Sequence, residues 1–364
     1  MMVKQTTKAV QDQLFQLGKD LGFYSLKEYT FKSIINAYAP RYDVVWMLNV
    51  QTLNLNSLDH LQLIEGKYLP FAAFELEGST TSSKNQVGNV GNLQLSPCYY
   101  NFMVVNNASA AKENDTYRRG MKIVRSLQRV NGERQLFFLD SSMLKKLPIF
   151  TKTTIVPLIN RENRLPRKKG SGGEKQSILV AAKLMPKLLL TDLDIAYDRK
   201  PDYFKWIYHI DQKFQQIKVP VKSKYLLKQS FTKSPVPLLK GEVKSASDYY
   251  YIPEIDVAAG FSIEGGYVQF LHFLAQRIGA DVIHFPFLQY LLDIQEETIY
   301  FPLLGIEIEI SESKHALGGL INLANFQYVG WLVSPGTMKP YVETYKHHLG
   351  MQNVHHIEVE EYLV

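Results

Sequence analysis

The chain has 364 residues, of which 46% are hydrophobic, and its net charge is +6. This length predicts two or three domains with ample apolar content for packed cores. The single cysteine, Cys98, excludes an intrachain disulfide framework and a Cys-rich zinc site. Because the sequence has neither a run of about 18 apolar residues nor a signal-peptide core, we expect a soluble, cytoplasmic protein without membrane contact.

Charge is distributed unevenly along the chain. Residues 1–150 hold 17 basic and 12 acidic residues, residues 151–260 hold 20 and 11, and residues 261–364 hold 4 and 12. A protein that binds the phosphate backbone of a nucleic acid needs a basic surface, because most of its affinity for the nucleic acid comes from counterion release. We therefore expect the first two segments to contact nucleic acid. The acidic last segment would be repelled by nucleic acid unless its charges are paired or held at a distance.

The predicted elements of an α/β layer begin near the N-terminus. Leu14, Leu17 and Leu21 follow the i, i+3, i+7 spacing of one helical face, in a helix predicted at 10–23. The elements predicted after it are strands at 39–48, at 69–77 and up to 105, a helix at 117–130 and a strand at 135–139. Strands and helices in this order indicate a mixed central sheet flanked by helices.

Two glutamates stand two residues apart on the apolar strand at 69–77. Residues i and i+2 of a strand project to one face, so Glu75 and Glu77 repel each other unless a cation lies between them. A hairpin or short meander from the strand at 39–48 would bring Asp43 beside Glu75. Three converging carboxylates make a hard oxygen site suited to Mg²⁺ or Mn²⁺, ions that assist phosphodiester cleavage. The alternative is that these carboxylates form salt bridges on a surface edge strand.

The middle segment, 151–260, has its own character. An exposed loop is predicted at 163–175, and a lysine-spaced tract with interleaved Tyr and Phe follows at 218–244. Bases among aromatic residues suit contacts with a nucleic-acid backbone and stacking on bases. The candidate nucleic-acid-binding residues are Arg167, Lys168, Lys169, Lys222, Lys224 and Lys228. The alternative is a solvated basic surface with ordinary core aromatics.

The acidic strand and its surroundings occur a second time near the C-terminus. Residues 69–105 and 301–333 share two carboxylates on an apolar strand, a polar turn, a lysine, a glycine-rich stretch and another apolar strand. The flanking elements of the second copy are a helix at 268–280 that resembles the one at 10–23, a helix at 338–349 and a strand at 354–359. Such a shared context suggests a fold that is present twice in tandem.

The second copy supplies Glu307, Glu309 and Lys314 as candidates for a second site. A hairpin between 287–293 and 298–309 would place His284, and no aspartate, opposite Glu307. The substitutes considered are Asp281, Asp293 and Asp256, and Asp256 is set aside because it precedes the helix that matches the first copy. This deficit and the acidic charge favour a degenerate, structural copy over a second active site.

The segments YDVVW and PFAAFELEGST, preceded by LGKDLGFYSLKEY, resemble a known family. They are similar to the PD-(D/E)xK nuclease superfamily, the fold of many type II restriction endonucleases. The resemblance implies that Asp43 and Glu75 bind Mg²⁺, with Mn²⁺ as a substitute. Glu77 stands where the family usually has lysine, so Lys84 or a second ion would have to supply positive charge. Glu28 is a weaker candidate for contact with metal or water.

The resemblance covers roughly residues 8–145 in the first copy, and together with the charge distribution and the repeated pattern it predicts three parts. These are a nuclease domain at 1–150, a basic DNA-binding middle region at 151–260 and a structural nuclease-like copy at 261–364. The expected function is a Mg²⁺-dependent endodeoxyribonuclease of restriction type, in which Asp43, Glu75, Glu77 and Lys84 act on double-stranded DNA. Cutting both strands needs two sites, so we expect a homodimer unless the second copy is itself active.

The sequence leaves several alternatives open. The rival function is a non-catalytic DNA-binding or scaffold subunit of a restriction or defence complex, which would bind DNA without Mg²⁺. An RNA-directed or single-strand nuclease has the same sequence pattern. A methyltransferase or another restriction-system partner is compatible with the chain. No Walker-type phosphate-binding motif is present, so a step driven by nucleotide hydrolysis would belong to such a partner.

Overall fold

The computed structural model describes residues 7–31, 39–53, 61, 63–78, 82–106, 116–131, 135–158, 257–285, 288, 291–292, 297–309, 315–326 and 328–359. Within these residues the chain forms two five-stranded mixed sheets with helices packed against them. The predicted class, a mixed α/β fold flanked by helices, is therefore confirmed. No helix in the described part of the chain is long and apolar enough to cross a membrane.

The first sheet lies in the N-terminal part of the chain. Its elements are α1 (Thr7–Asp20), β1 (Tyr24–Thr30), β2 (Arg41–Asn49), β3 (Tyr68–Glu77), α2 (Ser83–Gln94), β4 (Tyr100–Val105), α3 (Thr116–Asn131) and β5 (Gln135–Asp140). The strand order is β1-β2-β3-β4-β5. Strands β1, β2 and β3 pair antiparallel, whereas β3, β4 and β5 pair parallel, so β3 lies at the centre where the two kinds of pairing meet.

The second sheet has the same strand order and the same pattern of directions. Its elements are β6 (Thr153–Leu158), β7 (Val257–Gly265), α4 (Gly266–Ile278), β8 (Thr298–Ile308), α5 (His315–Phe326), β9 (Val329–Ser334), α6 (Lys339–Leu349) and β10 (Val354–Glu358). Strands β6, β7 and β8 pair antiparallel, and β8, β9 and β10 pair parallel. The central strand β8 therefore corresponds to β3. Short 3₁₀ turns at Gln51–Leu53, Ser141–Leu144, Gly279–His284 and Gly336–Met338 complete the described elements.

Helix α1 packs closely against β2 of the first sheet. The indole N–H of Trp46 donates to the carbonyl oxygen of Leu14 at 3.0 Å. A Cβ atom built on Gly18 would lie 2.3 Å from the Trp46 indole nitrogen, so only glycine permits this approach. The buried Leu14 and Leu17 point into the same interface, as the helical spacing of the sequence predicts.

Helix α4 belongs to the second half of the chain but packs on the first sheet. The ring of Tyr267 lies 5.7, 4.7 and 5.2 Å from the rings of Phe23, Phe71 and Tyr100, between ring centroids. Phe270, one turn further along α4, is fully buried in the same cluster. The two sheets thus share one continuous hydrophobic core, in which α4 is the common layer.

The order of elements differs from the prediction in the second half. The helix predicted at 268–280 follows β6 and β7, whereas α1 precedes β1. The expected hairpin between 287–293 and 298–309 is wrong, because the antiparallel partner of β8 is β7. Strand β6 lies inside the predicted middle region, yet it pairs with β7 across a long stretch of sequence. Local periodicity identified the helix, but only this long-range pairing fixes its place.

Candidate active site

Strands β2 and β3 bring the two principal acidic candidates together. Val44 pairs with Phe74, so Asp43 and Glu75 are the next residues at the end of this antiparallel ladder. The carboxylate of Asp43 accepts a hydrogen bond from the backbone N–H of Leu76 at 2.6 Å. Its side chain also forms a hydrogen bond with that of Glu75. The meander predicted from the sequence therefore places these two carboxyl groups in contact.

Both glutamates on β3 are buried, and their surroundings are acidic. Glu75 is 5% exposed and Glu77 is 9% exposed. Burial, followed by the charge of Asp43, raises the pKa of Glu75 to about 9. Burial also raises the pKa of Asp43, against the opposing effect of the Leu76 N–H. Ionisation of both carboxyl groups is therefore unfavourable. It becomes favourable when a proton or a cation is shared between them.

One oxygen atom of this pair lacks a hydrogen-bond partner in the part of the chain that the structure describes. Glu75 Oε1 is buried and makes no hydrogen bond with any described residue. A buried carboxylate oxygen without a donor is costly, and such atoms are rare in folded proteins. An oxygen-seeking cation beside Asp43 and Glu75 would satisfy it. The donor set thus fits Mg²⁺ or Mn²⁺, with Asp43 and Glu75 as the residues that would hold the ion.

Helix α2 covers the glutamates with side-chain amides. The Asn89 amide donates to Glu77 Oε1, and the side chain of Asn92 hydrogen-bonds to Glu75. Sequence reasoning missed both asparagines. The signal available for them was their spacing, since amides three residues apart on a helix occupy one face.

Glu28 and Gln11 form a second polar contact behind Asp43. The Gln11 amide donates to Glu28 Oε1 at 2.6 Å and to the backbone oxygen of Asp43 at 3.1 Å. Arg41 forms an ion pair with Glu28 at 3.1 Å. Glu28 has a backbone φ of 50°, an uncommon value for a non-glycine residue within a strand. The weaker candidate from the sequence therefore lies near the carboxylate pair but is already engaged by Gln11 and Arg41.

The remaining candidates do not join the pair directly. Lys84 is exposed in the first turn of α2 and makes no hydrogen bond or ion pair with the described residues. Glu77 influences the pKa values of Asp43 and Glu75, so its charge is close, but its Oε1 faces Asn89. Across the described ranges, no group of three or more His, Cys, Asp or Glu is arranged as a metal cluster. Two carboxylates are therefore in contact, rather than three around one point.

The second sheet repeats the backbone framework of this site. Val257 pairs with Ile306 as Val44 pairs with Phe74, which puts Glu307 in the position of Glu75. Each sheet also has a shift of register two residues further along, at Trp46/Met47 and at Ala259/Gly260. The pairing expected between Glu307 and His284 is thus wrong, because β7 occupies that side of β8.

Several residues predicted for the second site and for DNA binding lie outside the described residues. They are Asp256, Asp293, Lys314, Arg167, Lys168, Lys169, Lys222, Lys224 and Lys228. Asp256 precedes Val257 in the sequence as Asp43 precedes Val44. The reason for setting Asp256 aside was its position before the matched helix, and that reason fails because α4 follows β7. Asp281 lies in the 3₁₀ turn after α4.

Comparison with known proteins adds no further constraint. The chain matches no family model, no curated protein and no solved structure at a significant level. Any functional conclusion therefore depends on the chemistry of the residues described above.

Proposed function

We propose that this protein is a Mg²⁺-dependent endodeoxyribonuclease whose active site is the Asp43–Glu75 pair. The observation that carries the proposal is the buried, partnerless Oε1 of Glu75 beside a second carboxyl group. Paired buried carboxylates are unfavourable for a structural protein, because each leaves negative charge poorly solvated. A bound divalent cation would remove that cost. The site is on the central strand of a rigid sheet, which suits precise positioning of a ligand.

Each residue has a role that follows from its surroundings. Asp43 is oriented by the Leu76 N–H, which fixes one of its oxygens beside Glu75. Glu75 offers the unpaired oxygen. Glu77, oriented by Asn89, would hold a second divalent cation or orient the attacking water. A bound Mg²⁺ ion supplies an activated water and charge stabilisation at the phosphate.

The basic charge of the chain supports DNA as the substrate. Residues 1–260 carry the excess of lysine and arginine, and phosphate backbones bind such surfaces through counterion release. The proposed DNA-binding residues, from Arg167 to Lys228, lie within that range. A homodimer would supply one site for each strand of the duplex.

The first experiment is digestion of supercoiled plasmid with Mg²⁺, with Mn²⁺ or with EDTA. We expect cleavage with either metal and none with EDTA. Asp43→Asn should reduce the rate about a thousandfold, because it removes a charged ligand of the ion. Asp12→Asn is the matched control, since Asp12 is an exposed carboxylate on α1 that pairs with Lys27 and should leave cleavage unchanged.

The alternative function is a non-catalytic DNA-binding subunit, and the same experiment separates the two. Retained DNA binding in EDTA, with no cleavage by the wild type in either metal, would contradict the nuclease proposal. Single-stranded DNA and RNA should be tested in parallel. Preferential cleavage of one of them would change the substrate class but would leave the site assignment intact.

A further inference from the structure

Helix α2 presents a row of amide side chains toward the first sheet. Gln86, Asn89 and Asn92 are three residues apart and lie on one helical face. Gln86 is fully buried and anchors the row, because its amide donates to the Thr116 carbonyl at 2.9 Å and accepts from Arg119 at 3.0 Å. The start of α3 thus fixes the rotation of α2 about its axis.

The side chains of Asn89 and Asn92 each contact a different glutamate of β3. Asn89 donates to Glu77, and Asn92 hydrogen-bonds to Glu75, so each carboxylate has one amide of its own. Residues i and i+2 on a strand are about 6.6 Å apart, and residues i and i+3 on a helix are about 4.5 Å apart along the axis. The two spacings are close enough for one helix turn to reach both side chains.

An amide orients a carboxylate in a way that a cationic side chain does not. It donates a hydrogen bond and fixes the rotamer, yet it leaves the full negative charge of the carboxylate in place. Lysine or arginine at the same position would neutralise that charge and compete with a metal ion. Burial, Asp43, Glu77 and the Asn92 amide are the influences on the pKa of Glu75, and none of them is a positive side chain.

We propose that Asn89 and Asn92 are positioning residues, which hold Glu77 and Glu75 in the orientation that binds a divalent cation. This inference rests on the proposed function. In the second sheet, Gly319 of α5 packs against Glu307. A Cβ atom on Gly319 would lie 3.2 Å from the Cβ of Glu307, so that helical position offers no side-chain donor.

The test measures Mn²⁺ binding to the metal-free protein by the electron paramagnetic resonance signal of the free ion, without DNA. Asn89→Leu and Asn92→Leu remove an amide with little change of volume. The matched control is Asn85→Leu, because Asn85 is exposed on the same helix. We expect Mn²⁺ affinity to fall about 10- to 100-fold in the first two variants, the usual effect of losing a residue that orients a metal ligand. The control should bind as the wild type does.

A purely structural role would lower thermal stability without changing the affinity of the folded protein. Thermal unfolding in EDTA is therefore measured for each variant, and Asn89→Ser and Asn92→Ser replace the leucine variants if those do not fold. Asn92→Gln, which keeps an amide, should recover part of the lost affinity. Wild-type affinity in folded Asn89 and Asn92 variants would overturn the positioning role alone. Absence of Mn²⁺ binding by the wild type would overturn the proposed function as well.

Discussion

The two sheets of this protein share a backbone plan but differ in the chemistry at the equivalent place. Both have the same strand order, the same directions and a register shift at corresponding positions. In the first sheet Glu75 is buried against Asp43 and covered by the Asn92 amide. In the second, Glu307 is half-buried and packs beside Gly319. The two sheets thus place a glutamate at the same point of the strand plan, whereas its burial and the residues packed against it differ.

The helices also differ in where they attach. Helix α1 precedes its sheet and packs on β2 through Trp46. Helix α4 connects β7 to β8 but packs its aromatic rings on the first sheet. The first sheet therefore has helices from both halves of the chain, and its stability depends on the second half. Four experiments test how far the two halves differ in function and stability.

The largest expected effect is a difference in DNA cleavage between a Glu75 variant on β3 and a Glu307 variant on β8. Glu75→Gln should reduce plasmid cleavage about a thousandfold, because the uncharged amide is a poor ligand for Mg²⁺. Glu307→Gln should stay within about threefold of the wild type, since the proposed active site is the Asp43–Glu75 pair of the other sheet. Cleavage rates under identical Mg²⁺ concentrations provide the measurement. Equal loss in both variants would mean paired active sites, and Asp256→Asn would then be the next variant to assay.

The next largest effect concerns the shared core. Phe270→Ala should reduce the free energy of unfolding by about 3–5 kcal/mol, because the fully buried ring lies 5.6 Å from Trp46 and its removal leaves a cavity. Tyr341→Ala is the control, since that aromatic ring is 63% exposed on α6. Urea denaturation followed by tryptophan fluorescence measures both. Two separate transitions in the wild type would show that the sheets unfold independently, contrary to the role of α4.

A smaller effect follows from the raised pKa of Glu75. The folded protein holds this proton up to about pH 9, whereas the unfolded chain releases it near 4.5, so metal-free stability should fall as pH rises between these values. Glu75→Gln mimics the protonated form and should be more stable than the wild type at pH 8 by roughly 1–3 kcal/mol. At pH 4 the two should be alike.

Denaturation at both pH values in EDTA measures this difference. Mn²⁺ should stabilise the wild type at pH 8 but leave Glu75→Gln unchanged, because a ligand stabilises only a state that binds it. A wild type that gains stability with rising pH would show that Glu75 is ionised without a cation.

The smallest effect compares two neighbouring glycines of α5. Gly318→Ala should raise the free energy of unfolding by about 0.5–1 kcal/mol, since nothing lies within 4 Å of the new methyl group and alanine favours a helix. Gly319→Ala should gain nothing or lose stability, because its Cβ would press on Glu307 at 3.2 Å. Thermal unfolding of both variants measures the contrast. A gain in both would mean that α5 moves freely away from β8.

Much of the local structure could be predicted from the sequence. Helix α3 was predicted at 117–130 and found at Thr116–Asn131, and α6 was predicted at 338–349 and found at Lys339–Leu349. These elements have strong apolar periodicity, which depends only on neighbouring residues. The contact between Asp43 and Glu75 was also predictable, because two adjacent antiparallel strands determine it.

The remaining features depend on long-range contacts that periodicity does not encode. Strand β6 pairs with β7 across residues 159–256. Helix α4 therefore follows two strands of its sheet, whereas the sequence predicted that it would precede the first strand. The amides of Asn89 and Asn92 have ordinary polar positions in the sequence, and only the rotation of α2, fixed through Gln86, turns them toward β3. The three-carboxylate site was expected from strand alternation together with a meander that brings in Asp43, and the Asn89 donor to Glu77 is an addition that this reasoning did not contain.

The position of α4 also sets an order of events during synthesis. Phe23, Phe71 and Tyr100 leave the ribosome long before Tyr267, the ring that covers them. A nascent chain that ends before α4 exposes these aromatic surfaces to water and to other chains. Exposed apolar surface of this kind favours aggregation, so we expect truncated chains that end before α4 to aggregate more readily than the full chain. The first sheet thus acquires its α4 layer only after residues 266–278 have left the ribosome.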